Sequence, residues 1–140
     1  MTARISPHDL LVHLAVKRLK AFGVVAWENL SVGDVKIVGW KPGMFKKVTP
    51  GAERGVADII AILTLTIKGI GDVGLHCEFE AKTGKGKASS LLKADQRKHR
   101  DLVREAGGIY AAFSEPDEPV NILRAWIKER TEQANTGASA

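Results

Sequence analysis

One cysteine, Cys77, stands in a chain of 140 residues, so no intramolecular disulfide can form. A lone thiol in an apolar, strand-like stretch reads as a packed side chain, and so thiol-poor a sequence suits a reducing compartment. The four histidines (His8, His13, His76, His99) share no zinc-type spacing with it. Aromatic residues make up only 6% of the chain, and no RNA-binding aromatic motif occurs. Helix-turn-helix and zinc-finger signatures are also missing, so nothing points to base-specific reading. The tryptophans Trp27, Trp40 and Trp126 are expected in the core or an interface rather than stacked on bases. No apolar run approaches the roughly 20 residues that cross a bilayer. Met1 to Pro7 lack the basic-then-apolar pattern of a secretion signal. These absences predict a soluble, cytoplasmic protein with no membrane partner.

The chain does have apolar material, 44% of residues, enough for a single core. Its formal net charge is +5, which favours a polyanionic partner, because lysine and arginine contacts to phosphates release condensed counterions.

Ser6-Pro7-His8-Asp9 reads as a helix start, with serine as cap, proline in the first turn and an acid three residues beyond the serine. Leu10, Leu11, Leu14 and Ala15 supply an apolar face, and Gly23 ends the helix. Val24 to Trp27 and Val35 to Trp40 read as short strands, and Lys41 to Arg54 as a loop. Val56 to Ile67 and Val73 to Ala81 read as a hairpin about Gly69-Ile70-Gly71-Asp72. Thr83 to Ser90, rich in glycine and lysine, reads as a flexible loop. Leu91 to Ala106 reads as a helix stopped by Gly107-Gly108. Ile109 to Phe113 is a further strand, and Val120, Leu123, Trp126 and Ile127 stripe a last helix. The predicted organisation is one domain over residues 1–130 and a disordered tail over 131–140. The element order predicts an α/β fold, a mixed central β-sheet flanked by α-helices.

Charges at two places in the hairpin carry the chemistry. Asp58 lies near the start of one arm, and Glu80 and Lys82 near the end of the other. Side chains alternate along a strand, so Glu80 and Lys82 share a face with Glu78 and His76. The turn lies midway between Asp58 and Glu80, which lets them meet at the open end of the sheet. Buried carboxylates need a metal or another partner. Carboxylate oxygens suit Mg²⁺, with water and phosphate filling its remaining positions. A nearby lysine can hold a water or neutralise charge on phosphorus. On the following helix Leu92, Gln96, His99, Val103 and Ala106 form one stripe, which turns Gln96 inward, where it needs a polar partner.

Four separated pieces occur together: Gly55-Val56-Ala57-Asp58-Ile59-Ile60, Glu78-Phe79-Glu80-Ala81-Lys82-Thr83-Gly84, Asp95-Gln96 and Ala106-Gly107-Gly108-Ile109-Tyr110. In this order they resemble the VRR-NUC family of the PD-(D/E)xK nuclease superfamily, over about Arg54 to Ser114. The resemblance implies a restriction-endonuclease-like core. It implies a Mg²⁺-dependent DNA endonuclease, with Mn²⁺ as a possible substitute, that leaves 5′-phosphate and 3′-hydroxyl ends. Asp58, Glu80 and the backbone carbonyl of Ala81 are then metal ligands, Lys82 assists the attacking water, and Gln96 matches the family's helical glutamine. Family members often carry a first-helix glutamate in the metal site. Asp9 is its nearest match here, although Asp9 also completes the capping arrangement with Ser6, the stronger of the two readings. Where the family often has arginine after Trp27, this chain has Glu28. Stand-alone members are phage or bacterial proteins that often act on branched DNA as homodimers or larger homo-oligomers.

Between Lys82 and Arg104 eight basic residues face two acidic ones, a local excess of six. Lys85, Lys87, Lys93 and Arg97 are candidate phosphate contacts, and Lys41, Lys46, Lys47 and Arg54 a second positive arm. With no base-reading motif, cutting selective for flapped, branched or junction DNA is expected over sequence-specific restriction. Two other functions fit the same residues: a non-catalytic nucleic-acid-binding module that kept the nuclease fold, and an RNA-acting or repair accessory protein.

Overall fold

The computed structural model describes residues 4–29, 34–36, 45–47 and 54–137, with side chains over 4–29 and 54–134. Helix α1 spans Pro7–Ala21, and its cap is the predicted one: Ser6 Oγ accepts from the Asp9 N–H at 3.1 Å. The buried face is Leu11, Val12, Ala15, Val16 and Leu19, while Leu10 is largely exposed. This differs from the predicted face for a simple reason. A stripe begun at Leu10 and Leu14 runs into Lys17 and Arg18, whereas one begun at Leu11 stays apolar through Leu19.

Four strands build the main sheet, β1 (Val25–Glu28), β4 (Ile59–Ile67), β5 (Gly71–Ala81) and β6 (Ile109–Phe113), in the order β1-β4-β5-β6. β1 and β5 both run antiparallel to β4, and β6 runs parallel to β5, so the sheet is mixed. The short strands β2 (Asp34–Lys36) and β3 (Phe45–Lys47) pair with each other apart from it. β3 therefore puts a strand inside the stretch expected to be loop. The predicted extension of β2 to Trp40 lies outside the described residues.

Alternation along the strands divides the sheet into two faces. Val24, Ala26, Ile59, Ala61, Leu63, Cys77, Phe79, Ala81, Ile109 and Phe113 point to the side covered by α1 and by helix α3 (Glu118–Gly137), and with them form the main core. Arg18 of α1 and Asp117 before α3 form a 3.4 Å ion pair on this side. Cys77 is fully buried, as expected, and burial pushes its thiol up to about 11. The other face carries helix α2 (Ala94–Glu105), with Val103 packed on Ala57, Leu92 and Tyr110. A 3₁₀ turn, Ala88–Leu91, precedes α2, so the helix starts three residues later than its sequence suggests. α3 continues through Gly137, so residues 131–137, expected to be disordered, are helical. Thr131 Oγ1 bonds back to Ile127 O at 2.9 Å, and glutamate, glutamine and alanine in that stretch are good helix formers. Among the described residues no helix is long and apolar enough to cross a membrane.

Candidate active site

The β4–β5 register brings the hairpin carboxylates together. Ile59 pairs with Phe79, so the next position sets Asp58 opposite Glu80 at the end of the sheet. The contact is direct: the Asp58 N–H donates to Glu80 Oε2 at 3.1 Å, and the Ala81 N–H donates to Asp58 Oδ2 at 3.0 Å. Each carboxylate thus accepts a backbone N–H from the other's segment, which ties the two together. Ala81 is the last residue of β5 and the next N–H, that of Lys82, donates to Phe113 O at 2.9 Å.

α2 supplies the third wall. Gln96 Nε2 donates to Glu80 Oε1 at 2.8 Å, and Gln96 Oε1 accepts from Lys82 Nζ at 2.9 Å and from the Lys93 N–H at 2.9 Å. The amide has one orientation that satisfies all three contacts, so Gln96 is a fixed bridge between lysine and carboxylate. Lys82 Nζ also lies 3.7 Å from Glu80 Oε1. The four predicted catalytic side chains, Asp58, Glu80, Lys82 and Gln96, therefore form one connected cluster.

Gly55 sets the height of α2 over this cluster. Its φ is +85°, and a Cβ there would stand 2.2 Å from the Asp95 carbonyl oxygen, so only glycine allows the segment before Asp58 to press against the start of α2. Tyr110 Oη ties down the same residue through Gly55 O at 3.1 Å. Burial, reinforced by Glu80, Glu78 and Asp58, raises the pKa of that phenol.

Glu80 is 5% exposed. Burial first, and then the charge of Asp58, push its carboxyl up to about 7, against the opposing pull of Lys82. Two carboxylates held this close, one nearly buried, make a donor set suited to a hard divalent cation, whose charge would relieve both strains. Among the described residues no group of three or more His, Cys, Asp or Glu side chains is placed to hold a metal ion. A cation at this pair would take its remaining ligands from backbone oxygen, water or phosphate, as Mg²⁺ commonly does.

Asp9 does not join the pair. Its side chain is 73% exposed, and His8 Nδ1 lies 3.6 Å from it. The neighbouring His8 reaches in instead, with Nε2 3.1 Å from Asp58 Oδ2. The sequence held a signal for this: His8 extends the buried stripe at three, four and seven residues before Leu11, Val12 and Ala15. Asn29 was also missed. It holds the Asp58 segment from β1, through Asn29 N to Asp58 O at 2.7 Å and Asn29 Nδ2 to Ala57 O at 3.1 Å.

Glu78, on the same strand face as Glu80, has a different environment. It is 2% exposed and accepts from the Ala57 N–H at 3.1 Å, with His76 Nε2 at 2.6 Å and His99 Nε2 at 3.0 Å. Its oxygens are occupied in bracing β4, β5 and α2 against one another. Ala106, expected on the inward stripe of α2, is exposed at the helix C-cap.

Of the candidate phosphate contacts, Lys85 and Lys87 are exposed on the loop that leaves Lys82, and Arg54 is exposed beside Gly55. Lys93 is exposed at the N-cap of α2, and Arg97 is tethered by Nη1 to Leu92 O at 2.5 Å. Lys47 has its backbone in β3, paired with Asp34, and its side chain lies outside the described residues, as do the side chains of Lys41 and Lys46.

No protein-family model, no curated protein and no solved structure matches this chain.

Proposed function

We propose that this protein is a divalent-metal-dependent nuclease that hydrolyses the DNA backbone, with a restriction-endonuclease-like core of the VRR-NUC kind. The observation that carries this reading is the closed cluster of Asp58, Glu80, Lys82 and Gln96, with Glu80 pushed up to about 7 by burial and by Asp58. A purely structural sheet end has no need of two facing carboxylates, one of them nearly buried.

Asp58 and Glu80 hold the cation, with the Ala81 carbonyl as the backbone ligand. When bound, Mg²⁺ or Mn²⁺ supplies positive charge to the phosphoryl group. Lys82 presents its ammonium to the attacking water and to charge developing on phosphorus. Gln96 keeps that ammonium beside Glu80, and His8 and Asn29 hold Asp58 in place. Lys85, Lys87, Lys93, Arg97, Arg54 and Lys47 contact phosphates without reading bases, so selectivity is for DNA shape, in flapped, branched or junction substrates. The working protein is a homodimer or larger homo-oligomer.

The reading is tested by incubating labelled linear, flapped and four-way-junction DNA with Mg²⁺ or Mn²⁺, beside EDTA and Lys82→Ala controls. Cleavage that needs the metal and Lys82 is the expected result. Tight binding with all three DNAs left intact would make the protein a non-catalytic binding module. Faster cleavage of matched RNA would move its substrate to RNA.

A further inference from the structure

Among the described residues the α2 side of the sheet is covered over β5 and β6 only. Toward β1 it presents Val25, Trp27, Ile60 and Ile62. Trp27 pairs with Ile60 and Val25 with Ile62, so the four side chains form one apolar square. Trp27 is 43% exposed and Val25 58%, so Trp27 is not part of the core of the single chain.

This square adjoins the carboxylate cluster. Ile60 pairs with Glu78 and, one row on, Asn29 lies beside Asp58 through the 2.7 Å bond between them. Trp27 and Asp58 are therefore diagonal neighbours on one face, with Cα atoms about 7–8 Å apart. Going along this face, the apolar surface gives way within one strand step to the row of Asp58 and Glu80, with Lys82 just beyond the end of β5.

We infer that Trp27 is a stacking platform for an unpaired nucleobase of the strand whose phosphate lies at Asp58 and Glu80. The inference rests on the nuclease reading above and adds the recognition element that reading lacks. A nucleotide divides as this face divides, into a flat uncharged base and a charged phosphate. Exposure of 43% on an aromatic side chain of at most ~250 Å² leaves about 100 Å², the scale of one base. Bases inside a duplex are stacked on one another, so the platform serves only an unpaired nucleotide, at a flap, a fork or a frayed end.

The experiment uses the full chain, with Ca²⁺ replacing Mg²⁺ to hold off cleavage. In a Trp40→Phe/Trp126→Phe background Trp27 is the sole tryptophan fluorophore, and single-stranded oligothymidylate is expected to quench it. Anisotropy then compares a duplex bearing a single-stranded flap with the same duplex lacking it. Trp27→Leu, apolar but not flat, is expected to weaken flap binding about tenfold and duplex binding less than about twofold, with Trp27→Phe within about threefold of wild type. Thermal melts confirm that both variants fold. Unquenched emission, or equal effects of Trp27→Leu on the two DNAs, overturns the platform while leaving the nuclease reading standing. A changed sedimentation coefficient with unchanged DNA affinity assigns the face to a second copy and also overturns it. Wild-type protein that binds neither DNA overturns both inferences.

Discussion

Gln96 joins Glu80 to Lys82, donating to the carboxylate at 2.8 Å and accepting from the ammonium at 2.9 Å. Without it the two charges sit 3.7 Å apart with no group to set their angle, and the Lys93 N–H at the start of α2 loses its acceptor. Gln96→Ala is expected to slow DNA cleavage about 10–100-fold, and Lys82→Ala about 10²–10³-fold, the scale of removing one electrostatic interaction with a transition state. Single-turnover rates at saturating enzyme check this. A Gln96→Ala protein as fast as wild type would reduce the bridge to a helix-capping role.

The pH dependence of stability follows from Glu80. Its folded-state pKa, about 7, lies above the ordinary 4.5 of a glutamate, so the folded protein keeps this proton where the unfolded chain has lost it. That contribution is complete below pH 4.5 and is lost as pH rises toward 7. Melting in EDTA should therefore show a downward component of Tm across this window. Asp58→Asn, which removes the second cause of the shift, should flatten it. Metal binding needs the deprotonated carboxylate, so Mg²⁺ should raise Tm more at pH 8 than at pH 6. Equal metal effects at the two pH values would argue against Glu80 as a ligand.

Much of this was legible in the sequence, and the rest failed for identifiable reasons. The hairpin was legible because its apolar arms are long and its turn is glycine-rich, and the symmetric placement of Asp58 and Glu80 about that turn fixes their meeting. Gln96 was legible because helical spacing places it over the sheet. Asp9 failed because sequence gives a helix residue's neighbours along the chain but not the rotation of the helix about its axis. That rotation is set by the buried stripe through Leu19, and it turns His8 rather than Asp9 toward Asp58. The exposure of Trp27 had no local signal, because among the described residues α2 lies over β5 and β6 and not over β1, a property of where α2 packs and not of β1 itself. The shielding of Glu78 depends on His99 from another element and had no local signal.

Gly55 and Gly23 offer a controlled comparison. Both have positive φ, +85° and +93°, but a Cβ at Gly23 meets nothing within 4 Å, whereas one at Gly55 meets the Asp95 carbonyl oxygen at 2.2 Å. Gly23→Ala is expected to cost about 1 kcal/mol, the conformational penalty alone. Gly55→Ala adds a collision with backbone at the start of α2 and is expected to cost about 2–4 kcal/mol. Urea denaturation of the two variants checks the difference. Since α2 carries Gln96, Gly55→Ala should also lower the cleavage rate of the protein that remains folded, which Gly23→Ala should not. Equal costs would mean that the segment before Asp58 shifts away from α2 without penalty.

Lys85 and Lys87 stand exposed on the loop between Lys82 and the 3₁₀ turn, so their side chains are free to follow a phosphate backbone. Each phosphate that loses its lysine should lower the slope of log K against log salt by about 0.9 on duplex DNA. Lys85→Ala/Lys87→Ala is therefore expected to reduce that slope by about 2 and to weaken binding to every DNA tested alike, since phosphates carry no sequence. Cleavage of bound substrate should be unaffected, because neither lysine belongs to the hydrogen-bonded cluster. This separates the loop from Trp27, whose replacement should discriminate flap from duplex while leaving the salt slope unchanged. An unchanged slope in the double variant would assign the two lysines to solvent and leave Lys93, Arg97 and Arg54 as the phosphate-binding residues to test next.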